Sequence, residues 1–262
     1  MDILGAISPL SVSSGFVVGV LVGLTGVGGG SLMTPLLILV FGTQATTAVG
    51  TDLLFAAATK SAGSIAHGLK QNIDWPIVGR LAAGSLPGAV LTIAGMYAIG
   101  ITGHTSPPLI TVTLGIALLL SAVAVLGRQR IREWVGRRGA AAPRWTAPLT
   151  VLAGLVLGVL VTISSVGAGA LGMVMLVGLY PAKPLARLVG TDVAHAVPLT
   201  LVAGMGHTLI GSVRWTLLLA LLIGSVPGIA VGARLSTRVP ERVLRPILAA
   251  ILAIVGLRML RG

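Results

Sequence analysis

Four ionisable side chains interrupt long apolar stretches of this sequence: Asp52, Lys60, Asp192 and His195. Such groups are costly away from water and persist where they pair, bind or relay. Two glycine knots accompany them, "GVGGGS" at 26–31 and "SVGAGA" at 165–170. Each glycine weakens a helix by about 1 kcal/mol relative to alanine, so a knot marks a break. A helix that restarts after a break offers free amides and the positive end of its dipole. Glycine also lets a ligand approach the backbone closely. Gly26, Gly28, Gly29 and Gly30, with Thr25 and Ser31, form one candidate oxyanion cradle. Ser164, Ser165, Gly167 and Gly169 form the other, and Thr34 adds a further hydroxyl. Lys60 supplies the cation for such a site. Asp52, Asp192 and His195 are the candidate proton relay, His195 lying three residues past Asp192 on one helix face.

Each of these has a structural reading as well. Glycines in a membrane helix often make a close-packing face. The aspartates, following Thr51 and Thr191, could cap a helix entrance, and Lys60 could pair with one of them. His67 and His207 lie near helix ends and read as interfacial. The dinucleotide fingerprint is set aside because no strand precedes the glycines, and the Walker loop because no lysine follows them.

The elements that must hold these residues are apolar helices. The 262-residue chain is 55% hydrophobic and 9% charged, with a mean hydropathy of +1.03. Apolar stretches of about 20 residues recur from end to end, the pattern of a polytopic α-helical membrane protein. Strand-like alternation is missing, which argues against a barrel. Asp2 is the one early charge, and no cleavable signal pattern is expected. The chain has no cysteine, so thiolate catalysis and cysteine-ligated zinc are excluded. Of its eighteen basic residues, twelve fall in three inter-helix regions. The net charge of +12 therefore reads as topology signal and contact with anionic head groups, not nucleic-acid binding.

The chain is written twice. "GTDLLFAAATKSAGSIAHGLKQNIDW" (50–75) aligns with "GTDVAHAVPLTLVAGMGHTLIGSVRW" (190–215), pairing Gly50 with Gly190, Asp52 with Asp192, His67 with His207 and Trp75 with Trp215. "GSLPG" at 84–88 matches "GSVPG" at 224–228, and Pro87 and Pro227 are expected to kink their helices. Upstream, "GVLV" occurs at 19–22 and 158–161, and the knots themselves align. Residues 1–127 read as a first membrane repeat, 128–147 as a basic cytoplasmic linker, and 148–262 as a second repeat. Each repeat has a glycine-broken segment (12–42, 148–180) and three transmembrane helices (45–69, 75–98 and 108–127; 184–209, 215–233 and 241–260). The positive-inside rule favours inverted repeats. Inversion puts the linker arginines, Lys183 with Arg187, and the 234–245 arginines on one side, leaving Arg214, Arg258 and Arg261 on the other. It also places both termini outside. The piece after the first knot, 31–42, is too short to span, so the broken segments are expected to be re-entrant. Inverted repeats with broken helices put the substrate near the midplane.

"GFVVGVLVGLTGVGGGSLMTPLLI", followed by the 50–75 stretch and its second copy, resembles the TauE/SafE family of sulfite exporters, also known as sulfonate uptake permeases. The likeness covers nearly the whole chain. Its most specific part is G-x-x-G-V-G-G-G-x-x-x-x-P, Gly23 through Pro35; the second copy has Val174 where that proline would fall. The resemblance implies a multi-pass protein of the bacterial inner membrane that carries sulfite, sulfoacetate or related organosulfonates. Asp52 and Asp192 stand where many members have small polar residues, a departure that bears on coupling or selectivity.

The expected function is thus secondary transport of a small sulfur-containing anion, without a cofactor. An anion channel is the alternative: saturable, gradient-driven exchange marks the carrier and ohmic current the channel. No HExxH or GxSxG motif is present, so an enzyme is not expected. The expected partners are the anion and the lipid bilayer; the oligomeric state is open, a homodimer being one arrangement.

Overall fold

The computed structural model describes residues 8–25, 30–102, 108–138, 143–235 and 241–261. Regular structure among them is entirely α-helical: α1 (Pro9–Thr25), α2 (Gly30–Leu39), α3 (Ala45–Leu69), α4 (Trp75–Ala98), α5 (Pro108–Arg138), α6 (Pro143–Ser164), α7 (Ala170–Leu179), α8 (Leu185–Leu209), α9 (Trp215–Leu235) and α10 (Glu241–Arg261). Among the described residues, five stretches are long and apolar enough to cross a membrane: Trp75–Ala98, Pro108–Gly127, Arg144–Ser164, Leu185–Leu209 and Trp215–Gly232. The helices α2 and α7, of 10 residues each, reach only about 15 Å at 1.5 Å per residue, half a hydrocarbon core.

Helix extends into the linker region, and one sequence expectation needs adjusting. The 128–147 stretch is largely helical, because α5 continues to Arg138 and α6 starts at Pro143. Arg, Gln and Glu are good helix formers, and no proline intervenes before Pro143 to stop the chain. Nor do the aspartates cap helix entrances. Gln44 and Pro184 hold the N-cap positions of α3 and α8, so Asp52 and Asp192 lie about two turns inside.

Several of the closest helix approaches are made at glycines outside the knots. On α1, Gly15 and Gly19 lie against the backbone of Leu221 and Ser225, while Gly224, Gly228 and Gly232 of α9 lie against α1. The equivalent helices α4 and α6 repeat the arrangement: Gly84 and Gly88 meet Val151 and Leu155, and Gly154 and Gly158 meet Leu81 and Ser85. Spacing of four between small residues lets backbones approach closely, where dispersion and weak polar contacts hold helices in lipid. In both pairs the contact positions rise together along the two chains, so the helices run parallel. Each first helix therefore packs on the Trp-initiated helix of the other copy.

The long helices cross in the opposite sense. Gly50 of α3 meets His207 of α8, Gly63 meets Val193, and Gly204 meets Leu54. One number rises as the other falls, so α3 and α8 are antiparallel. By contrast α4 runs with α8, since Ser85 meets His195 and Ile93 meets Gly206. Trp75, Trp145 and Trp215 are exposed near helix starts, the place for an interfacial aromatic belt.

Candidate functional site

The duplicated Gly-Thr-Asp triplet has three separate tasks. Gly50 and Gly190 leave room for the carbonyls of Ser212 and Asn72. The Thr51 hydroxyl accepts a hydrogen bond from the Arg214 amide at 3.1 Å, and the Thr191 hydroxyl from the Asp74 amide at 2.9 Å. Both threonines also donate back to the carbonyl four residues earlier, Thr47 and Arg187. Each long helix thereby holds the turn that opens the other copy's Trp-initiated helix. Those turns are themselves equivalent, with left-handed backbone at Gln71 and Gly211.

The aspartates face the short helices. Asp52 is fully buried, and its Oδ2 accepts hydrogen bonds from both the amide and the hydroxyl of Thr34 on α2. Asp192, equally deep, has its Oδ1 against Gly172 of α7, where any side chain would collide with it. Thr34 was expected to present its hydroxyl to an anion; the structure gives that hydroxyl to Asp52.

Lys60 is 5% exposed. Its Nζ donates to the carbonyl of Ala168, inside the second knot, at 2.8 Å. The charges of Asp192 and Asp52 both act on it, and it in turn acts on His195. His195 lies buried on α8 with Nε2 at 2.8 Å from the Ser85 hydroxyl of α4. The site is not symmetric: Thr200 stands in the second copy where Lys60 stands in the first, and Phe55 stands where His195 does. One copy contributes the cation and the other the imidazole.

The second knot is irregular backbone, with positive φ at Ser165 (57°), Gly167 (118°) and Gly169 (129°). Ser164 turns its hydroxyl inward, donating to Leu160 and accepting from the Val166 amide. Early amides of α7 are also occupied: Leu171 and Gly172 both donate to the Gly167 carbonyl at 3.1 Å. This short helix offers fewer free amides than its N-terminus promised, because Gly167 folds its carbonyl over them. Ser165 Oγ is buried, and its hydroxyl acts on Asp52 without making a well-aligned hydrogen bond.

Of the first knot, Gly26, Gly28 and Gly29 lie outside the described residues; Thr25 ends α1, and Gly30 and Ser31 begin α2. His207 departs from the interfacial expectation. It is fully buried, with Nε2 at 2.9 Å from the Thr162 carbonyl.

An ion pair that the motif reading missed lies at the α3–α4 turn. Lys183 Nζ is 2.9 Å and Arg187 Nε 3.7 Å from Asp74 Oδ2. Burial pushes the Asp74 carboxyl up, but the hydrogen bond and charge of Lys183 and the charge of Arg187 outweigh it and hold the group below 3.8. The signal was present in the sequence as an acid in one polar turn and two bases in another, but nothing in it paired the turns.

Residues 11–259 match the family described as Sulfite exporter TauE/SafE. This chain belongs to that family. Curated relatives carry transporter names. It is 37% identical to the probable membrane transporter protein YjnA of Bacillus subtilis (strain 168), over 83% of this chain and 85% of that protein. With YdhB of the same organism, also a probable membrane transporter protein, identity is 27% over 81% of this chain and 84% of the relative. No solved structure matches the chain. The TauE/SafE match and the apolar helices together make this a multi-pass membrane transporter.

Proposed function

We propose that this TauE/SafE protein is a secondary transporter of small sulfur-containing anions, sulfite, sulfoacetate or related organosulfonates, in the bacterial inner membrane. Its two copies, 1–127 and 148–262, are inverted, and the α1–α2 and α6–α7 segments are re-entrant hairpins. The helix registers support this. With α3 antiparallel to α8, and with α1 parallel to α9 and α4 to α6, the counterparts α1 and α6, α3 and α8, and α4 and α9 run in opposite directions. The basic linker then belongs on the same face as Lys183 and Arg187, which the positive-inside rule assigns to the cytoplasm.

The observation that carries the reading is Lys60, a buried ammonium held against the carbonyl of a broken helix and subject to the charge of two carboxylates. An anion is held beside Lys60 at the breaks, near the midplane, by the ammonium and knot backbone. Two carboxylates around one ammonium leave no net positive charge. An anion therefore enters favourably when a carboxyl carries a proton, which makes proton coupling through Asp52 or Asp192 part of the proposal.

The test is uptake by purified protein in liposomes of sulfite, sulfate, thiosulfate, sulfoacetate and taurine, at two imposed pH gradients. Saturable uptake of a sulfur anion that responds to the gradient is expected. Ohmic anion current without saturation would instead make the protein a channel, and no uptake of any of the five would reject the substrate class.

A further inference from the structure

We propose that Asp52, rather than Asp192, is the carboxyl that carries the coupling proton, and that Ser165 is its positioning residue. This rests on the transporter reading above and assigns the coupling site within it. The two oxygens of Asp52 are not alike. Oδ2 receives both the amide and the hydroxyl of Thr34, so it acts as an acceptor in either charge state. Oδ1 is buried with no hydrogen-bond partner, and a proton has its place there. The Ser165 hydroxyl acts on this carboxyl, and its Oγ is buried with no hydrogen bond of good geometry to any group.

A hydroxyl is a neutral group that serves both states of a carboxyl. It donates to the carboxylate and, after rotating, accepts from the acid. The proton comes from water on one face, bonds to Oδ1, and returns to water on the other face; only an O–H bond forms and breaks. Ser165 is also a non-glycine residue in left-handed backbone (φ 57°) at the entrance to the second break, the kind of conformation that surrounding structure must hold in place. Asp52 thus joins α2 of one copy to the break of the other, and its charge state is felt by both broken segments.

Asp192 is placed differently. Its Oδ1 abuts Gly172, and it makes a polar interaction of its own. The charged and titratable groups facing this region are Lys60 on the same helix and Asp192 and His195 from α8. Neither α2 nor α7 carries an ionisable side chain. Those of α5, α6 and α9 lie toward the helix ends, at Arg128 and beyond, Arg144 and Arg234.

The experiment measures sulfite and sulfoacetate uptake into proteoliposomes from pH 5.5 to 8.5, with a pH dye recording proton movement. Wild type, Asp52→Asn, Asp192→Asn, Ser165→Ala and Ser165→Gly are compared. Asp52→Asn is expected to flatten the pH profile and abolish substrate-linked proton movement, while Asp192→Asn alters the rate but retains pH-dependent uptake and proton movement. Loss of the Ser165 hydroxyl removes a donor that binds a carboxylate more strongly than an acid. Half-maximal uptake should then shift about one pH unit to the alkaline side, a tenfold change in proton affinity. Ser165→Gly accommodates the left-handed backbone without strain, so agreement between the two serine variants separates the hydroxyl from folding. A raised KM with an unmoved pH profile in both serine variants, or a flat profile in Asp192→Asn with a normal one in Asp52→Asn, overturns the assignment. Wild-type vesicles that take up neither anion reject the proposed substrates, whereas active wild type with unaltered serine variants rejects this inference alone.

Discussion

The Lys60 ammonium and the Ala168 carbonyl meet at 2.8 Å across 108 positions of sequence. This bond ties the middle of α3 to the second break, so the residue most able to attract an anion also holds the backbone that would receive it. Lys60→Met is expected to raise the apparent KM for the transported anion about tenfold or more, the effect of losing roughly 1.4 kcal/mol. Lys60→Arg should keep part of the affinity, because the charge remains while the contact geometry changes. The check is initial-rate uptake against anion concentration. Rescue by neutralising Asp52 or Asp192 along with Lys60, with wild-type KM, would reduce Lys60 to a structural partner.

The glycines divide into two groups with separable phenotypes. Gly158 lies against the Ser85 backbone where α4 and α6 pack, and Gly158→Leu should lower the yield of folded protein. Gly167 has φ 118° and only side chains of Leu171 and Val161 near a prospective Cβ. Gly167→Leu is expected to insert and fold, with a local strain cost of about 1–3 kcal/mol, yet to lose transport because the break changes shape. Size-exclusion yield and liposome uptake, measured on both variants, separate the two roles. Wild-type uptake by Gly167→Leu would make the second knot a packing element like the others.

The helix boundaries were legible because the sequence punctuates them: Trp75 and Trp215 open helices, and the knots end α1 and α6. The duplication also marked Gly-Thr-Asp as a unit. What it could not reveal was that the glycine and threonine serve the other copy's turn, since that requires knowing that α3 and α8 cross antiparallel. Side-chain partners were least legible. Thr34 and Ser165 read as hydroxyls for a ligand, and only the crossing of α2, α3 and the second break brings them to Asp52. Free amides at Ala170 were inferred from helix-end rules, which do not anticipate a preceding glycine carbonyl folding back over Leu171 and Gly172.

Asp74 offers a stability test outside the membrane-spanning segments. Its folded-state carboxyl titrates below 3.8 because Lys183 and Arg187 outweigh its burial. A depressed carboxyl stabilises the fold above its unfolded value and loses that contribution as pH falls through the lower folded one. Lys183 and Arg187 are 42% and 45% exposed, so screening limits the contribution to below about 1 kcal/mol. Asp74→Asn should therefore lower Tm slightly at pH 7, more at low salt than at high salt, and the difference should vanish in strong acid. A Tm gap independent of both salt and pH would assign the effect to packing at the turn.

Sidedness can be read from the turns that the duplication makes equivalent. Gln71 lies in the α3–α4 turn and Arg214 at the end of the α8–α9 turn, both exposed. Parallel copies would put these two turns on the same face of the membrane, and inverted copies would put them on opposite faces. The Gln71 turn lies with Lys183 and Arg187, through the Asp74 ion pair, on the face that should be cytoplasmic. The Arg214 amide is bound to Thr51 in the first third of α3, toward the opposite face. The chain has no cysteine, so Gln71→Cys and Arg214→Cys each introduce one unique thiol. A membrane-impermeant maleimide added to intact cells should label Arg214→Cys, and Gln71→Cys only after the membrane is opened. Labelling of both from the same side would reject inversion, and labelling of Gln71→Cys alone from outside would keep inversion but reverse the assignment of the basic face.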